Sequence, residues 1–171
     1  MIEKIARDVS NKLNTTISWD FKDMVGIGKT TIARALHSRL SSSFQLTCFM
    51  ENIRGSNNSG LDEYGLKLDL QEQLLSKILN LNGISVNHLR AIPERLCDQK
   101  VLIILDDVDD LQQLEALADE TSWFGPGSRI IITTEDQELL EQHGINSTYH
   151  VDFPTEKKLA RSFVDMLLDG A

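Results

Sequence analysis

Hydrophobic residues follow two different spacings along this chain, and the two spacings alternate. Short segments rich in apolar residues lie at 44–50, 101–105, 129–134 and 149–153, and the run 101–105 is continuously apolar. Such runs are typical of parallel strands that are buried on both faces. Between them apolar residues recur every third or fourth position, which predicts helices at 2–13, 31–40, 66–80, 86–97, 111–118, 137–143 and 156–168. Strands that alternate with helices predict an α/β fold, a parallel sheet flanked by helices.

Two segments depart from the simple pattern. Pro93 lies inside the predicted helix 86–97 and should start that helix late or kink it. Residues 15–19 lie in an irregular stretch but are compatible with a short strand, because they combine threonine, isoleucine and tryptophan.

Composition narrows the class of protein. The chain has 171 residues, enough for one domain with a core, and 41% of them are hydrophobic, as in an ordinary globular domain. A net charge of −9 argues against nucleic acid or an anionic membrane as a partner, since both are polyanions. The two cysteines form neither a disulfide framework nor a metal-binding spacing, and the charged start does not resemble a signal peptide. A cytoplasmic or nuclear location is therefore expected.

The segment 26–31, Gly-Ile-Gly-Lys-Thr-Thr, carries the clearest chemistry. It matches the second half of a phosphate-binding loop, in which backbone N–H groups cradle phosphates, the lysine reaches the outer phosphates and the hydroxyl meets Mg²⁺. The helix that follows adds its own free N–H groups at the same point. Asp23 stands where the leading glycine of the loop belongs. The candidate nucleotide-binding residues are Gly26, Gly28, Lys29, Thr30 and Thr31, and Thr30 is also a candidate metal ligand.

Two carboxylates follow directly on the apolar run 101–105. Ligands of open α/β sheets bind at the carboxyl ends of the strands, where these two side chains are expected. Asp106 is placed to hold Mg²⁺ through water, and Asp107, the candidate catalytic residue, is placed to orient an attacking water.

Each motif also has an interpretation without function. A Gly-Lys-Thr triplet occurs by chance at ordinary helix starts. The acidic segment 106–110 alone is compatible with a solvated turn that caps the helix 111–118. Because both motifs occur in the right order and strand context, descent from a nucleotide-binding domain is the favoured interpretation. Whether binding is retained is a separate question.

Four segments together resemble one known family. They are 26–31, Phe49–Arg54 with the later Gly65-Leu66 and Leu70-Gln71, Leu102–Asp109, and Gly125–Thr134. On these residues the chain resembles the nucleotide-binding (NB-ARC) domain of plant disease-resistance proteins of the TIR leucine-rich-repeat class, over most of Met1 to Phe153. Asp109 is the subclass marker, since the coiled-coil class typically has a tryptophan at that position.

This resemblance implies a nucleotide-controlled immune switch. In the family ADP holds the off state, and exchange for ATP permits oligomerisation and defence signalling; full-length immune receptors of the same family are the implied partners. The implied division of the chain is an N-terminal helix and linker at 1–23, a partial NB-ARC domain at 24–155 and a divergent C-terminal helix at 156–171. The helical ARC subdomains, the TIR domain and the repeats have no match here.

Two departures from the family affect the site itself. Residues 23–27 resemble a family segment some thirty residues upstream of the phosphate loop, joined here directly to Gly28 and Lys29. Glu135 follows two threonines where many relatives carry an arginine that reads the outer phosphate. The first departure implies that the first strand is lost.

The lost strand is expected to lie centrally, between the strands 101–105 and 129–134. Three outcomes are then open: residues 17–19 substitute for it, the two neighbouring strands pair directly, or the domain is loose. An unsatisfied buried backbone group costs about 1–3 kcal/mol, so several of them would rival the whole stability of a domain.

Three functions remain open from the sequence. The first is a truncated and impaired ADP- or ATP-binding module of a plant immune receptor, with Mg²⁺ as the metal. The second is a small P-loop ATPase or kinase, at most weakly active, since no arginine-rich lid or acceptor pocket is visible. The third is a non-binding fragment that acts through a partner or arises from a mis-joined gene model.

Overall fold

The computed structural model describes residues 29–51, 53 and 62–145 in full and the backbone of 17–20 and 148–150. The strands are β1 (Ile17–Asp20), β2 (Leu46–Met50), β3 (Val101–Val108), β4 (Arg129–Thr134) and β5 (Thr148–His150). The helices are α1 (Lys29–Leu40), α2 (Glu63–Leu79), α3 (Ala91–Leu96), α4 (Leu111–Ala118) and α5 (Gln137–Gln142). Single 3₁₀ turns occupy Ser41–Ser43 and Thr121–Trp123.

The five described strands form one parallel sheet in the order β2-β3-β4-β1-β5. The predicted α/β architecture with a parallel sheet is therefore confirmed. The central strand β3 pairs with β2 on one side and with β4 on the other, in a register that sets Leu105 opposite Ile132. Helices connect consecutive strands because parallel neighbours need a crossover connection.

The predicted place of a lost strand is wrong. No gap separates β3 from β4, which pair directly from Leu102 with Arg129 to Val108 with Thr134. The strand that leads into α1 lies on the other side of β4, where β1 pairs with both β4 and β5. Two of the three open outcomes thus occur together: the neighbouring strands pair directly, and Ile17–Asp20 forms a strand. The lost strand therefore leaves no unsatisfied backbone groups between the paired residues of β3 and β4.

The two faces of the sheet are covered by different helices. Side chains alternate across a strand, so Val101, Ile103 and Leu105 face one way and Leu102 and Ile104 the other. The first set packs in one buried cluster with α2, α3, α4 and α5. Helix α1 contacts β3 and β4, and its buried side chains lie outside that cluster, on the opposite face of the sheet. All five residues of the run 101–105 in β3 are fully buried.

Turn chemistry fixes where β3 and β4 begin. A Cβ atom on Gly125 would lie 2.7 Å from the backbone oxygen of Gln99, so only glycine fits there. The Gly125 N–H donates to that same oxygen at 2.9 Å. The Ser128 hydroxyl accepts from the Val101 N–H at 2.9 Å and donates to the Gly125 carbonyl at 2.6 Å. These bonds hold the starts of both strands side by side.

Most predicted boundaries agree with the described elements to within a few residues. Pro93 delays its helix as expected: α3 begins at Ala91, which puts the proline in the first turn, where its missing N–H is not needed. Strand β3 is three residues longer than predicted and includes both aspartates. The helices predicted at 2–13 and 156–168 lie outside the described residues. None of the helices described here is long and apolar enough to cross a membrane.

Candidate functional site

A cavity of about 330 Å³ opens at the carboxyl edge of the sheet. It lies among the ends of β2, β3 and β4 and the beginning of α1, the edge where α/β sheets bind ligands. Its volume is at the lower end of the roughly 300–1,000 Å³ typical of small-molecule sites. The lining residues are Lys29, Thr30, Glu51, Asp106, Asp107, Thr133 and Glu135.

Asp106 is the centre of the hydrogen-bond network in this cavity. The Thr30 hydroxyl donates to Asp106 Oδ2 at 2.6 Å, and the Thr133 hydroxyl donates to Asp106 Oδ1 at 2.6 Å. The carboxylate is only 3% exposed, so these two bonds take the place of water. They fix the carboxylate between the first turn of α1 and the end of β4.

Asp107 lies in a strained stretch of β3. Its φ of +63° is in the left-handed region, which non-glycine residues seldom adopt. The pairing of β3 with β4 shifts register between Leu105 and Val108, so the two aspartates form a bulge. The Asp107 N–H donates to Thr133 Oγ1 at 2.8 Å. Bulges re-aim side chains, and here the Asp107 side chain joins the cavity lining.

Lys29 begins α1 and pairs with a carboxylate of the opposite wall. Its Nζ donates to Glu135 Oε1. The Lys29 side chain is 12% exposed and the Glu135 side chain 47% exposed. Glu135 follows β4 directly, so the ion pair joins the start of α1 to the end of β4.

The described part of the cavity lining carries more negative than positive charge. Among its described lining residues one lysine faces four carboxylates, those of Glu51, Asp106, Asp107 and Glu135. Glu51 is partly balanced from outside the lining, since Arg34 Nη2 donates to its Oε2 at 2.5 Å. A polyphosphate entering this cavity meets more repulsion than attraction unless a divalent cation accompanies it.

The structure brings four of the predicted site residues together: Lys29, Thr30, Asp106 and Asp107 all line the cavity. The side chain of Thr31 is exposed and is not part of the lining, which leaves only its backbone N–H for an anion. Gly26 and Gly28 lie outside the described residues.

Three further lining residues, Glu51, Thr133 and Glu135, were not predicted as site residues, and the sequence marked Glu135 only as a departure from the family. Thr133 bridges the two aspartates through its hydroxyl group. In the sequence it could have been noticed only as a polar residue near the end of the apolar run 129–134. Its alignment with Asp106 depends on the strand register, which sequence spacing does not determine. Glu51 follows β2 and comes to the site because β2 pairs beside β3.

The donor set suits a metal only in part. Within the described ranges no group of three or more histidine, cysteine, aspartate or glutamate side chains is arranged to hold a metal ion. Mg²⁺ in nucleotide sites is usually bound by one or two protein ligands and by phosphate oxygens. Because Thr30 donates its proton to Asp106, the lone pairs of its hydroxyl oxygen remain for such an ion.

The described titratable groups with displaced pKa values lie away from the cavity. Burial lowers the pKa of His37, whose ring packs edge-on against Phe49 at 5.8 Å. Burial raises the pKa of Cys48 to about 11. None of the histidine side chains described, which are those of His37, His88 and His143, lines the cavity. This agrees with a structural or solvated role for them.

Comparison with known proteins identifies the family. The NB-ARC domain family matches residues 1–160. Disease resistance protein RML1A of Arabidopsis thaliana is 59% identical over 92% of this chain, and probable disease resistance protein RPP1 of the same plant is 45% identical over 95%. The matches cover 19% and 16% of those proteins, so the chain spans about a fifth of their length. The resemblance drawn from the sequence motifs is confirmed.

Each alignment with a relative is longer than the number of residues of this chain that it includes. The alignment with RML1A runs over 187 residues, yet 92% of 171 residues is about 157, which leaves about 30 positions without a counterpart here. For RPP1 the alignment runs over 194 residues, and 95% of the chain is about 162, which leaves about 32. Two relatives of different similarity thus show the same internal shortfall.

Proposed function

The chain belongs to the NB-ARC family, and we propose that it is a nucleotide-binding module of a plant immune receptor, binding ADP or ATP with Mg²⁺ at the carboxyl edge of its sheet. One observation carries the proposal: the Thr30 hydroxyl at the start of α1 is bonded to the Asp106 carboxylate at the end of β3. A phosphate-loop threonine and a strand-end aspartate are the two protein groups that hold Mg²⁺ in this class of site.

Each lining residue has a distinct task in the proposed site. Lys29 supplies the positive charge for the outer phosphates, and the N–H groups of the first turn of α1 add partial positive charge. Thr30 and Asp106 hold Mg²⁺, which neutralises phosphate charge. Thr133 keeps the Asp106 carboxylate in place, as a positioning residue.

Affinity is proposed to be well below that of an intact domain. The shortfall of about 30 residues against RML1A supports loss of the segment that carries the first half of the loop, which agrees with Asp23 at the position of the leading glycine. Four carboxylates in the lining add repulsion. Without Mg²⁺ we expect no measurable binding, because the repulsion is then uncompensated.

Hydrolysis is proposed to be negligible. Asp107 lines the cavity where a water could be oriented, but phosphoryl transfer depends almost wholly on positioning, and half of the positioning loop is not present. The ATPase or kinase alternative predicts that Asp107→Ala lowers the rate of phosphate release. We expect the variant and the wild type to release phosphate at the same rate.

The biological role is proposed from the relatives. Their names describe disease resistance proteins, which supports a part in a plant defence response, in the cytoplasm or nucleus. Full-length receptors of the same family are the proposed partners. In the alternative that the chain is a fragment that binds no nucleotide, it would act only through such a partner.

Calorimetric titration of the purified chain with ADP and Mg²⁺ tests the proposal. We expect weak binding that is lost in Lys29→Ala and in Asp106→Asn, while Lys77→Ala, which removes an exposed lysine outside the described cavity lining, leaves binding unchanged. Tight ADP binding that survives purification would contradict the proposed impairment. Absence of heat at millimolar ADP would favour the non-binding fragment.

A further inference from the structure

The ion pair between Lys29 and Glu135 lies where the outer phosphates of a bound nucleotide are expected. Lys29 is the cation of the described cavity lining, and its ammonium group is where the outer phosphates of a bound nucleotide are expected. In the structure that ammonium group already donates to a carboxylate oxygen of Glu135. A carboxylate oxygen is chemically similar to a phosphate oxygen, since both are anionic acceptors.

We propose that Glu135 is a built-in competitor of the nucleotide: it holds Lys29 in the empty site, and phosphate binds only by displacing it. This inference rests on the proposed nucleotide site and concerns its regulation. It makes Glu135 a determinant of affinity, although it lies outside the phosphate-binding motif.

The burial of the two side chains explains why the pair forms. Lys29 is 12% exposed, and an ammonium group so poorly hydrated needs a counter-ion. Glu135 is 47% exposed, so its carboxylate can be hydrated when it leaves Lys29. The lysine is therefore always paired, with the carboxylate when the site is empty and with phosphate when it is filled.

Displacement lowers the affinity for nucleotide in two ways. The ion pair must break, and the released carboxylate stays near the phosphates, which it repels. Neither effect is large, because Glu135 is half exposed and solvent screens it. Replacing Glu135 by glutamine should tighten ADP binding roughly fivefold, which corresponds to about 1 kcal/mol.

The contact itself is tested on the nucleotide-free protein by acylation of lysine amines, read residue by residue with mass spectrometry. In Glu135→Gln we expect Lys29 to react several times faster than in the wild type, because a neutral amide holds the Lys29 amine less firmly than a carboxylate does. Lys67, paired with Glu63 and Glu115, is the internal reference. Glu138→Gln is the matched control: it removes the same charge three residues further along, at an exposed position outside the cavity lining.

Calorimetry with ADP and Mg²⁺ then tests the competition. Tighter binding by Glu135→Gln, with Glu138→Gln equal to the wild type, is the expected result. If Lys29 reactivity does not change, or if Glu135→Gln binds ADP no tighter than a wild type that does bind, the competition is refuted and the proposed function stands. If neither protein binds millimolar ADP, the competition and the proposed function fall together.

Discussion

Replacing Thr133 by valine removes the hydroxyl group that links the two aspartates of the site. That hydroxyl donates to Asp106 Oδ1 at 2.6 Å and accepts from the Asp107 N–H at 2.8 Å, and Thr133 is 2% exposed. A hydrogen bond to a charged group contributes about 1.5–3 kcal/mol, and a buried N–H without a partner costs about 1–3 kcal/mol. Because Asp107 is only partly buried, water recovers part of the second loss. We expect the free energy of unfolding to fall by about 2–4 kcal/mol.

Urea denaturation without Mg²⁺ or nucleotide measures this loss, since no ligand then contributes to stability. With a denaturant slope of about 2 kcal/mol per molar urea, the midpoint should fall by about 1–2 M. Thr133→Ser keeps the hydroxyl and should cost only about 1 kcal/mol for the lost methyl group.

Thr134→Val is the second control for this experiment. The Thr134 hydroxyl also makes two hydrogen bonds, but its partners are neutral: it donates to the Val108 carbonyl at 2.6 Å and accepts from the Asp136 N–H at 3.0 Å. Thr134→Val should lower the free energy of unfolding less than Thr133→Val does, because no charged group is left unsatisfied. If Thr133→Val is no less stable than Thr133→Ser, the reasoning about the bridging hydroxyl is refuted.

Three other expectations concern reactivity, pH and backbone geometry. Iodoacetamide should modify Cys97, which is exposed, and spare buried Cys48, whose pKa is raised to about 11; equal labelling in the native protein would contradict this burial. Burial lowers the pKa of His37 below its ordinary value of 6.5, so the unfolded chain binds the proton more readily, and the free energy of unfolding should fall as pH drops from about 7.5 through 6.5. His37→Phe should reduce that slope, and an unchanged slope would exclude His37 as its source. Gly125→Ala should cost about 2–4 kcal/mol in urea because its methyl group meets backbone, whereas Gly83→Ala, at a positive φ but in open space, should cost only about 1 kcal/mol.

The parts of the site that are contiguous in the chain could be predicted from the sequence. Lys29 and Thr30 follow one another at a helix start, and Asp106 ends a continuous apolar run, so local pattern alone places them at the carboxyl edge of a parallel sheet. The structure brings them together as expected. The burial of β3 was predictable for the same reason, because continuous apolar runs of this kind are typical of strands covered on both faces.

The remaining parts depend on which strands are neighbours, and periodicity carries no information about strand order. Glu51 reaches the cavity because β2 pairs with β3, and Thr133 reaches Asp106 because β4 pairs with β3 in one particular register. The left-handed conformation of Asp107 follows from the bulge in that register. The misplaced strand was the same kind of error: a wrong strand order predicted a gap where β3 and β4 in fact pair.

Strand order also decides what the internal shortfall affects. The Thr30–Asp106–Thr133 network is built from α1, β3 and β4. Residues before Lys29 contribute β1, which pairs with β4 but supplies none of these three side chains. The side chains proposed to hold Mg²⁺ therefore do not come from the segment that leads into α1. The proposed phosphate cradle does depend on that segment, because its first half would come from there, and Lys29 is already paired with the carboxylate of Glu135. On the proposed function, an NB-ARC domain shortened at this point would keep the side chains placed for Mg²⁺ and lose part of the positive surroundings that attract the nucleotide. This is why we expect weak, Mg²⁺-dependent binding rather than none.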